Sequence, residues 1–202
     1  MKRRHLLLLG AAALVSSGCD QVKSMFGAGK VPFNSIDITG AGYASNFALT
    51  DQNGRQRTLG EFKGKLVAVF FGFTQCPDVC PTALAELAQI KNSLGPEGDK
   101  LQGVFITIDP ERDTPEVLKA YVAAFDKSFI ALRGTPEQTA AVAKEFKVFY
   151  EKVPGSTPDS YTMNHTAGLF VFDTQGRIRL FARHGIGPQP LAADMRQLLQ
   201  AA

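Results

Sequence analysis

The stretch LVAVFFGFTQCPDVCPTAL, residues 66–84, decides the fold of this 202-residue chain. Its first part, Leu66–Phe73, is a nearly continuous apolar run rich in Val and Phe, which is typical of a strand buried on both faces. Pro81 predicts the start of a helix that ends before Gly95-Pro96, because proline suits the first helical position and glycine the end. The stretch therefore predicts a buried strand, a loop with two cysteines, and a helix.

The chain on both sides of this stretch continues the alternation of strands and helices. A hairpin turn is predicted at Asp51–Gly54, where an Asn-Gly pair follows a short strand. A second buried strand is predicted at Gly103–Ile108, and a second hairpin turn at Asp173–Gly176. The remaining predicted elements are a helix capped by Thr114 and running to about Phe125, a strand at 129–132, a helix at 136–147, a strand at 148–153 and a last helix at 191–200.

This pattern predicts an α/β fold with a mixed central sheet flanked by helices and an N-terminal hairpin. A cysteine pair between the first long buried strand and the next helix is the position of a thioredoxin-like redox motif. We therefore expect a thioredoxin-like fold. The sequence contains no internal repeat and no glycine-rich loop of the kind that holds phosphates.

Residues 1–18 have the build of an export signal, because the basic residues Lys2–Arg4 precede an apolar run at 6–15. That run is too short for a conventional membrane span, which needs about 20 residues. The small residues that end in Cys19 resemble a bacterial lipobox, in which the cysteine is lipidated, although Ser16 stands where such boxes usually carry Leu. Ordinary cleavage nearby and an uncleaved anchor are the alternatives to lipidation at Cys19.

We expect the chain to have three parts: a signal of lipoprotein type at 1–18, a tether at 19–40 and a folded domain at 41–202. Without the signal, basic and acidic residues are equal in number. No basic field then remains that would indicate binding to nucleic acid, so we expect no nucleic-acid partner.

Cys76 and Cys80 are placed where thiols become reactive. Cys80 is predicted at or just before the first turn of the helix, and the unpaired N–H groups there favour a thiolate. Three residues separate the two cysteines, and a four-residue step on a helix places both sulfurs on one face. An isolated pair of this kind in an exported protein indicates redox activity or metal binding rather than a structural disulfide framework.

His165 is the candidate third ligand if the pair binds a metal. Two thiolates favour Cu(I), zinc or an iron–sulfur centre, and a structural zinc site requires four ligands. In thioredoxin-like folds the loop before the Leu169 strand lies beside the cysteine pair, although a lone histidine there is more often a satisfied loop residue. Met163 is either a soft auxiliary ligand or a packing residue, with packing favoured. His184 is interpreted as a solvated loop residue, and Asp78 as an acid near the metal or a partner surface, with a simple turn residue as the alternative.

Three segments of the chain together resemble the SCO/SenC family. They are FGFTQCPDVCPTAL (71–84), TIDPERDTPEVLKAY (107–121) and YTMNHTAGLFVFD (161–173), in this order and well separated. Proteins of this family are thioredoxin-fold, membrane-tethered copper chaperones for the assembly of cytochrome c oxidase. The resemblance covers about residues 40–200.

The resemblance implies that Cys76, Cys80 and His165 are ligands of one copper ion, held as Cu(I), Cu(II) or both. It also implies delivery to the binuclear copper centre in the copper-bearing subunit of cytochrome c oxidase. Together with the signal, it places the domain at the periplasmic face of the bacterial cytoplasmic membrane, tethered by a lipid or an N-terminal anchor. One residue departs from the family pattern, because Asn164 stands where the family commonly has Asp before the histidine.

A thiol–disulfide oxidoreductase is the alternative hypothesis. Cys76 would attack the disulfide of a partner, and Cys80 would resolve the mixed disulfide. The client would be the copper-ligand cysteines of the oxidase or another exported protein. A pure exchange catalyst does not require His165, so the histidine favours copper binding. Whether the chain is also an enzyme stays open at this point, and a redox or copper sensor is a third, weaker idea.

Overall fold

The computed structural model describes residues 32–157 and 160–201. Its ten strands are β1 (Ile36–Asp37), β2 (Ala48–Asp51), β3 (Gln56–Thr58), β4 (Leu66–Gly72), β5 (Leu101–Thr107), β6 (Ile130–Arg133), β7 (Tyr150–Pro154), β8 (Tyr161–His165), β9 (Gly168–Phe172) and β10 (Ile178–Arg183). Eight of them form one sheet in the order β1-β10-β9-β4-β5-β6-β2-β3, while β7 and β8 form a separate two-stranded sheet. The β4–β5 and β5–β6 pairs are parallel and the others antiparallel, so the predicted mixed sheet is confirmed.

In the part of the chain that the structure describes, four α-helices flank the sheet: α1 (Val79–Ser93), α2 (Pro115–Ala123), α3 (Pro136–Glu145) and α4 (Pro188–Gln200). Short 3₁₀ helices lie at Leu59–Phe62 and Gly95–Lys100. The hydroxyls of Thr114 and Thr135 accept backbone N–H groups in the first turns of α2 and α3, as N-cap residues do. The predicted cap at Thr114 is confirmed.

Strands β4 and β5 form the centre of the core, and each of their residues is buried. Continuous burial on both faces explains why these strands are apolar throughout rather than alternating. The two strands are in register to their ends, where Gly72 pairs with Thr107. The loops that follow β4 and β5 therefore leave the sheet at the same edge.

The two predicted hairpins are confirmed, and the turn of each has the sequence pattern Asp-Xaa-Xaa-Gly-Arg. Asp51 accepts the N–H groups of Asn53 and Arg55, and its second oxygen accepts Nε of Arg57. In the β9–β10 turn, Asp173 accepts the N–H groups of Gln175 and Arg177, and its second oxygen accepts Nε of Arg177. The glycine of each turn has a positive φ. Burial alone would raise the pKa of Asp51, but the Arg57 side chain and the two N–H groups lower it.

Two local predictions are wrong: the start of one helix is misplaced by two residues, and one predicted loop is a strand. Helix α1 begins at Val79 rather than at Pro81, so Cys80 lies inside its first turn. Pro81 is tolerated there because the first N–H groups of a helix have no intrahelical acceptor. Residues 161–165, predicted as a loop, form β8 and pair with β7 along its full length.

The predicted signal at 1–18, Cys19 and most of the predicted tether lie outside the described residues. The described end of the tether belongs to the fold, because β1 pairs with β10 and Asp194 accepts the N–H groups of Asn34 and Ser35. These residues belong to a compact unit that starts at Phe33. Among residues 32–157 and 160–201, none of the helices has the length and apolar composition that crossing a membrane requires.

Candidate metal centre

The cysteine pair lies in the loop between β4 and α1 and in the first turn of that helix. Cys80 is wholly buried, whereas Cys76 is partly exposed, and both are free thiols. The N–H of Cys80 donates to Sγ of Cys76 over 3.4 Å. One sulfur of the pair therefore accepts a free N–H group at the start of a helix.

Gly72, the last residue of β4, makes room for the buried sulfur. A Cβ at this position would lie 2.8 Å from Sγ of Cys80 and 2.9 Å from ring carbons of Phe70 and Phe105. Real Cβ atoms do not approach neighbours so closely. The close approach of Cys80 to the sheet thus depends on glycine at this position.

His165, the last residue of β8, points its ring at the same sulfur. Its Nε2 lies 3.7 Å from Sγ of Cys80, and its Nδ1 lies 3.0 Å from the backbone oxygen of Thr166. A carbonyl oxygen can only accept a hydrogen bond, so Nδ1 carries the proton and Nε2 keeps its lone pair. The ring packs edge-on against Phe70 and Phe73, with centroid distances of 6.0 and 6.1 Å.

Burial sets the protonation state of His165 and Cys80. It lowers the pKa of His165 below the usual value of 6.5, so the imidazole is neutral at neutral pH, the form in which histidine binds metals. Burial is also the largest cause that raises the pKa of the Cys80 thiol, and the charges of Cys76 and Asp113 act in the same direction. Without a cation beside it, Cys80 keeps its proton, so the effect of burial outweighs that of the helix start, which was expected to favour a thiolate here.

Together, Cys76, Cys80 and His165 form a compact group of donors. One atom from each of the three residues lies within 4.8 Å of both others. Bonds of about 2.3 Å to sulfur and about 2.0 Å to nitrogen in a trigonal arrangement would put the donors about 4 Å apart. Two soft sulfurs, one neutral imidazole and these spacings fit a thiophilic transition-metal ion.

A buried carboxylate, that of Asp113, holds the cysteine loop through hydrogen bonds. Asp113 is fully buried and accepts the backbone N–H and the hydroxyl of Thr74, two residues before Cys76, and the hydroxyl of Thr107 at the end of β5. Burial raises the pKa of Asp113, and these donors partly offset the rise. The sequence predicted only a loop and a helix start at 109–115. The position of this segment after β5, on the edge of the sheet where such folds place their sites, could have indicated that Asp113 supports the site.

The other candidate residues lie outside the donor group. Met163 is buried in the core, as the packing interpretation predicts, and His184 is exposed after β10. Asp78 is exposed beside the first turn of α1, where its carboxylate accepts the hydroxyl of Thr82 over 3.4 Å. Asn164 faces away from His165 on β8 and donates to Glu151 across the hairpin.

Comparisons with known proteins identify relatives of this chain. The family described as SCO1/SenC matches residues 37–200, a range that contains Cys76, Cys80 and His165. An SCO2-like protein of Rickettsia felis is 38% identical over 173 residues, which cover 85% of this chain and 82% of the relative.

Solved structures of similar proteins share the fold. The structure of Bradyrhizobium japonicum ScoI with copper bound is 41% identical, with a TM-score of 0.69 over 76% of this chain and 97% of that one. The solution structure of apo Sco1 from Thermus thermophilus is 37% identical, with a TM-score of 0.74 over 85% of this chain and 99% of that one. The thioredoxin-like fold predicted from the position of the cysteine pair is confirmed.

Proposed function

Since the chain belongs to the SCO1/SenC family, we propose that it binds one copper ion through Cys76, Cys80 and His165 and delivers it to the binuclear copper centre of a cytochrome c oxidase. The observation that carries the proposal is the group of three donor atoms within 4.8 Å of one another. Two thiolates are suited to Cu(I), and the neutral imidazole is suited to either oxidation state of copper. The partner is the copper-bearing subunit of the oxidase.

Three donors leave a coordination position open, and this supports delivery rather than storage. A ligand of the receiving protein can enter the open position before the donors of this chain leave, so copper is never free in solution. Copper(II) also binds most N/O/S sites more tightly than zinc does, which makes zinc a poor competitor for the same donors.

Titration of the purified, reduced chain with Cu(I) against a chromophoric chelator tests copper binding. We expect one ion per chain for the wild type, and affinity lower by at least about ten- to a hundredfold for His165→Ala, because a direct ligand is lost and loss of an outer contact alone costs about this much. His184→Ala is the matched control, because His184 is exposed outside the donor group and its loss should leave the affinity unchanged. Binding well below one ion per chain, or equal binding by His165→Ala, would refute the copper proposal.

Thiol–disulfide exchange is the second candidate, and the unequal exposure of the two cysteines favours it. Cys76 is partly exposed and accessible to a partner disulfide, while Cys80 is buried where it can resolve the mixed disulfide. The partner's disulfide would be reduced to two thiols while Cys76 and Cys80 are oxidised to a disulfide. His165→Ala should leave the exchange rate with a model disulfide unchanged, whereas Cys76→Ser should abolish it; loss of exchange in both variants would contradict this division of roles.

We propose further that the domain is exported and tethered at the periplasmic face of the bacterial cytoplasmic membrane. The support is the sequence of residues 1–18, the signal, and of Cys19, the proposed lipid attachment site. Fractionation of cells that express the full chain tests this tether. Wild type should sediment with membranes and Cys19→Ala should be released or remain unprocessed, whereas an unlipidated, fully soluble wild type would refute it.

A further inference from the structure

The hairpin β7–β8 carries His165 but lies outside the eight-stranded sheet. Among the described residues, β7 pairs only with β8, so no ladder of backbone hydrogen bonds fixes the hairpin to β4. His165 is the last residue of β8, and Tyr161, the first, lies about 13 Å away at the usual rise per residue. Backbone pairing holds the chain just beyond His165, where β9 pairs with β4. At the Tyr161 end of β8, side-chain contacts join the hairpin to the cysteine loop.

Arg112 provides contacts to both halves of the site. Its Nη1 donates to the backbone oxygen of Tyr161 over 2.8 Å and to Oε1 of Gln75, the neighbour of Cys76, over 3.0 Å. Its guanidinium lies 3.6 Å from the centre of the Tyr161 ring and 5.9 Å from the centre of the Phe73 ring. Phe73 in turn packs against His165. One side chain thus touches the cysteine loop and the start of the histidine strand.

The same contacts close into a ring of interactions, which we call the Arg112 cluster: Asp109, Arg112 and Tyr161. Nε of Arg112 donates to Oδ2 of Asp109, and the hydroxyl of Tyr161 donates to Oδ1 of the same carboxylate over 2.8 Å. Asp109 is almost fully buried, so the pair is not a simple surface salt bridge. Nζ of Lys152 on β7 also lies 4.7 Å from the centre of the Tyr161 ring, and it pairs with Glu111.

We propose that Arg112 is a positioning residue of the metal centre. It holds the hairpin β7–β8 against the cysteine loop, so that Nε2 of His165 stays near Sγ of Cys80. The inference rests on the proposed copper function. A planar guanidinium can stack on Tyr161 while it donates in its own plane to Asp109, Gln75 and the Tyr161 backbone; a lysine ammonium at the same position cannot make all of these contacts.

Arg112→Lys, which keeps the charge, is the variant that tests the proposal. Loss of an outer contact that orients a metal ligand typically lowers metal affinity by about ten- to a hundredfold, and we expect a loss in this range for Cu(I). If Arg112 acts through His165, the same substitution in a His165→Ala background should change the affinity by less than about twofold, because interacting residues are not additive. An equal loss in both backgrounds would mean a general effect on the fold and would overturn the proposal.

Arg57→Lys is a matched control at the far edge of the sheet. Arg57 and Asp51 have exposed fractions of 20% and 1%, the same as those of Arg112 and Asp109. Arg57 also lies 6.0 Å from the centre of a phenylalanine ring, that of Phe62. We expect Arg57→Lys to lower the unfolding temperature about as much as Arg112→Lys but to leave copper affinity unchanged. A loss of copper affinity in this control equal to that of Arg112→Lys would also overturn the proposal.

A second measurement, on the full chain without copper, separates failure of this inference from failure of the proposed function. The rings of Phe70 and Phe73 lie edge-on to the His165 ring, so we expect ring currents to shift the NMR signals of His165. They should move towards their unfolded positions in Arg112→Lys and stay in place in Arg57→Lys. If the wild type binds no copper, the copper function fails while this readout still tests the positioning role; unchanged His165 signals in Arg112→Lys would refute that role.

Should Arg112→Lys fail to fold, Tyr161→Phe provides the same test with a smaller change. It removes only the hydroxyl that donates to Asp109 and keeps the ring on which Arg112 stacks. The loss of one such bond should lower copper affinity by about two- to tenfold in the wild-type background and by less than twofold with His165→Ala. Equal affinity of Tyr161→Phe and wild type would count against the Arg112 cluster as the support of His165.

Discussion

Replacement of Gly72 by alanine is the most direct test of how closely the buried sulfur is fitted to the sheet. The added Cβ would meet Sγ of Cys80 at 2.8 Å and ring carbons of Phe70 and Phe105 at 2.9 Å. Each of these side chains is buried, so none can move aside into solvent. We therefore expect Cys80 to be displaced from its position beside His165 or the rings to be forced from their preferred conformations.

The magnitude follows from two opposing effects. Overpacking a well-filled core typically costs about 1–3 kcal/mol of unfolding free energy. Replacing glycine in a strand by alanine returns about 0.5–1 kcal/mol, because the unfolded chain loses freedom. The net loss should be about 1–2 kcal/mol, which corresponds to a fall of about 2–8 °C in unfolding temperature for a domain of this size.

Two other glycines serve as controls for Gly72→Ala. Gly103 of β5 is equally crowded, since a Cβ there would lie 2.6 Å from the ring of Phe129, but it is not next to Cys80. Gly42 is exposed, with no heavy atom within 4 Å of an added Cβ. Thermal unfolding should show similar losses for Gly72→Ala and Gly103→Ala and almost none for Gly42→Ala. Only Gly72→Ala should also weaken Cu(I) binding; wild-type stability and affinity in that variant would refute the reasoning.

Three further predictions concern the same site. Burial lowers the pKa of His165, while the histidine of the unfolded chain takes up a proton near pH 6.5. The free energy of unfolding should therefore fall as the pH drops below about 6.5. Denaturant titrations of His165→Gln should lack this part of the fall. Because the pKa of Cys80 is raised, Cu(I) must displace the proton of this thiol throughout the neutral range. The apparent affinity for Cu(I) should therefore rise about tenfold per pH unit for that proton. An affinity that does not change between about pH 6.5 and 8 would contradict this. Asn164→Asp should place like charges opposite Glu151 and lower unfolding free energy by about 0.2–1 kcal/mol, a loss that Glu151→Gln should reverse in the double variant.

The last of these predictions also gives a physical reason for the departure from the family pattern. Asn164 and Glu151 are directly opposite on β8 and β7, and the amide donates to the carboxylate over 3.2 Å. An aspartate at position 164 would lose this donor and face a second carboxylate. Its side chain points away from His165, so the change to asparagine leaves the donor group itself intact.

The central part of the fold could be predicted from the sequence because its signals are local. Strands β4 and β5 are continuous apolar runs, and both hairpin turns have an aspartate that binds the turn and a glycine with positive φ. Strand β8 was missed because its burial is weak, with Met163 as its only buried residue. A strand of five residues with one buried side chain has no periodic pattern that distinguishes it from a loop.

The donor group could be predicted in part, and its surroundings could not. Cys76 and Cys80 are four residues apart, and their position after a buried strand indicated chemistry. The Arg112 cluster joins residues 49 positions apart in the chain, from Arg112 to Tyr161, and no local spacing predicts such a contact. Gly72 carried no signal either, because its role depends on where Cys80, Phe70 and Phe105 meet in three dimensions.

The two candidate functions compete for the same two sulfurs. A disulfide between Cys76 and Cys80 removes both thiolates, so the oxidised chain keeps only His165 as a donor and cannot hold Cu(I) on the proposed site. On the proposed roles, either chemistry would use the reduced pair, and His165 would distinguish them because exchange does not need it. A copper ion bound by both sulfurs should therefore protect the pair from oxidation, and this protection should weaken in His165→Ala in proportion to its loss of copper affinity.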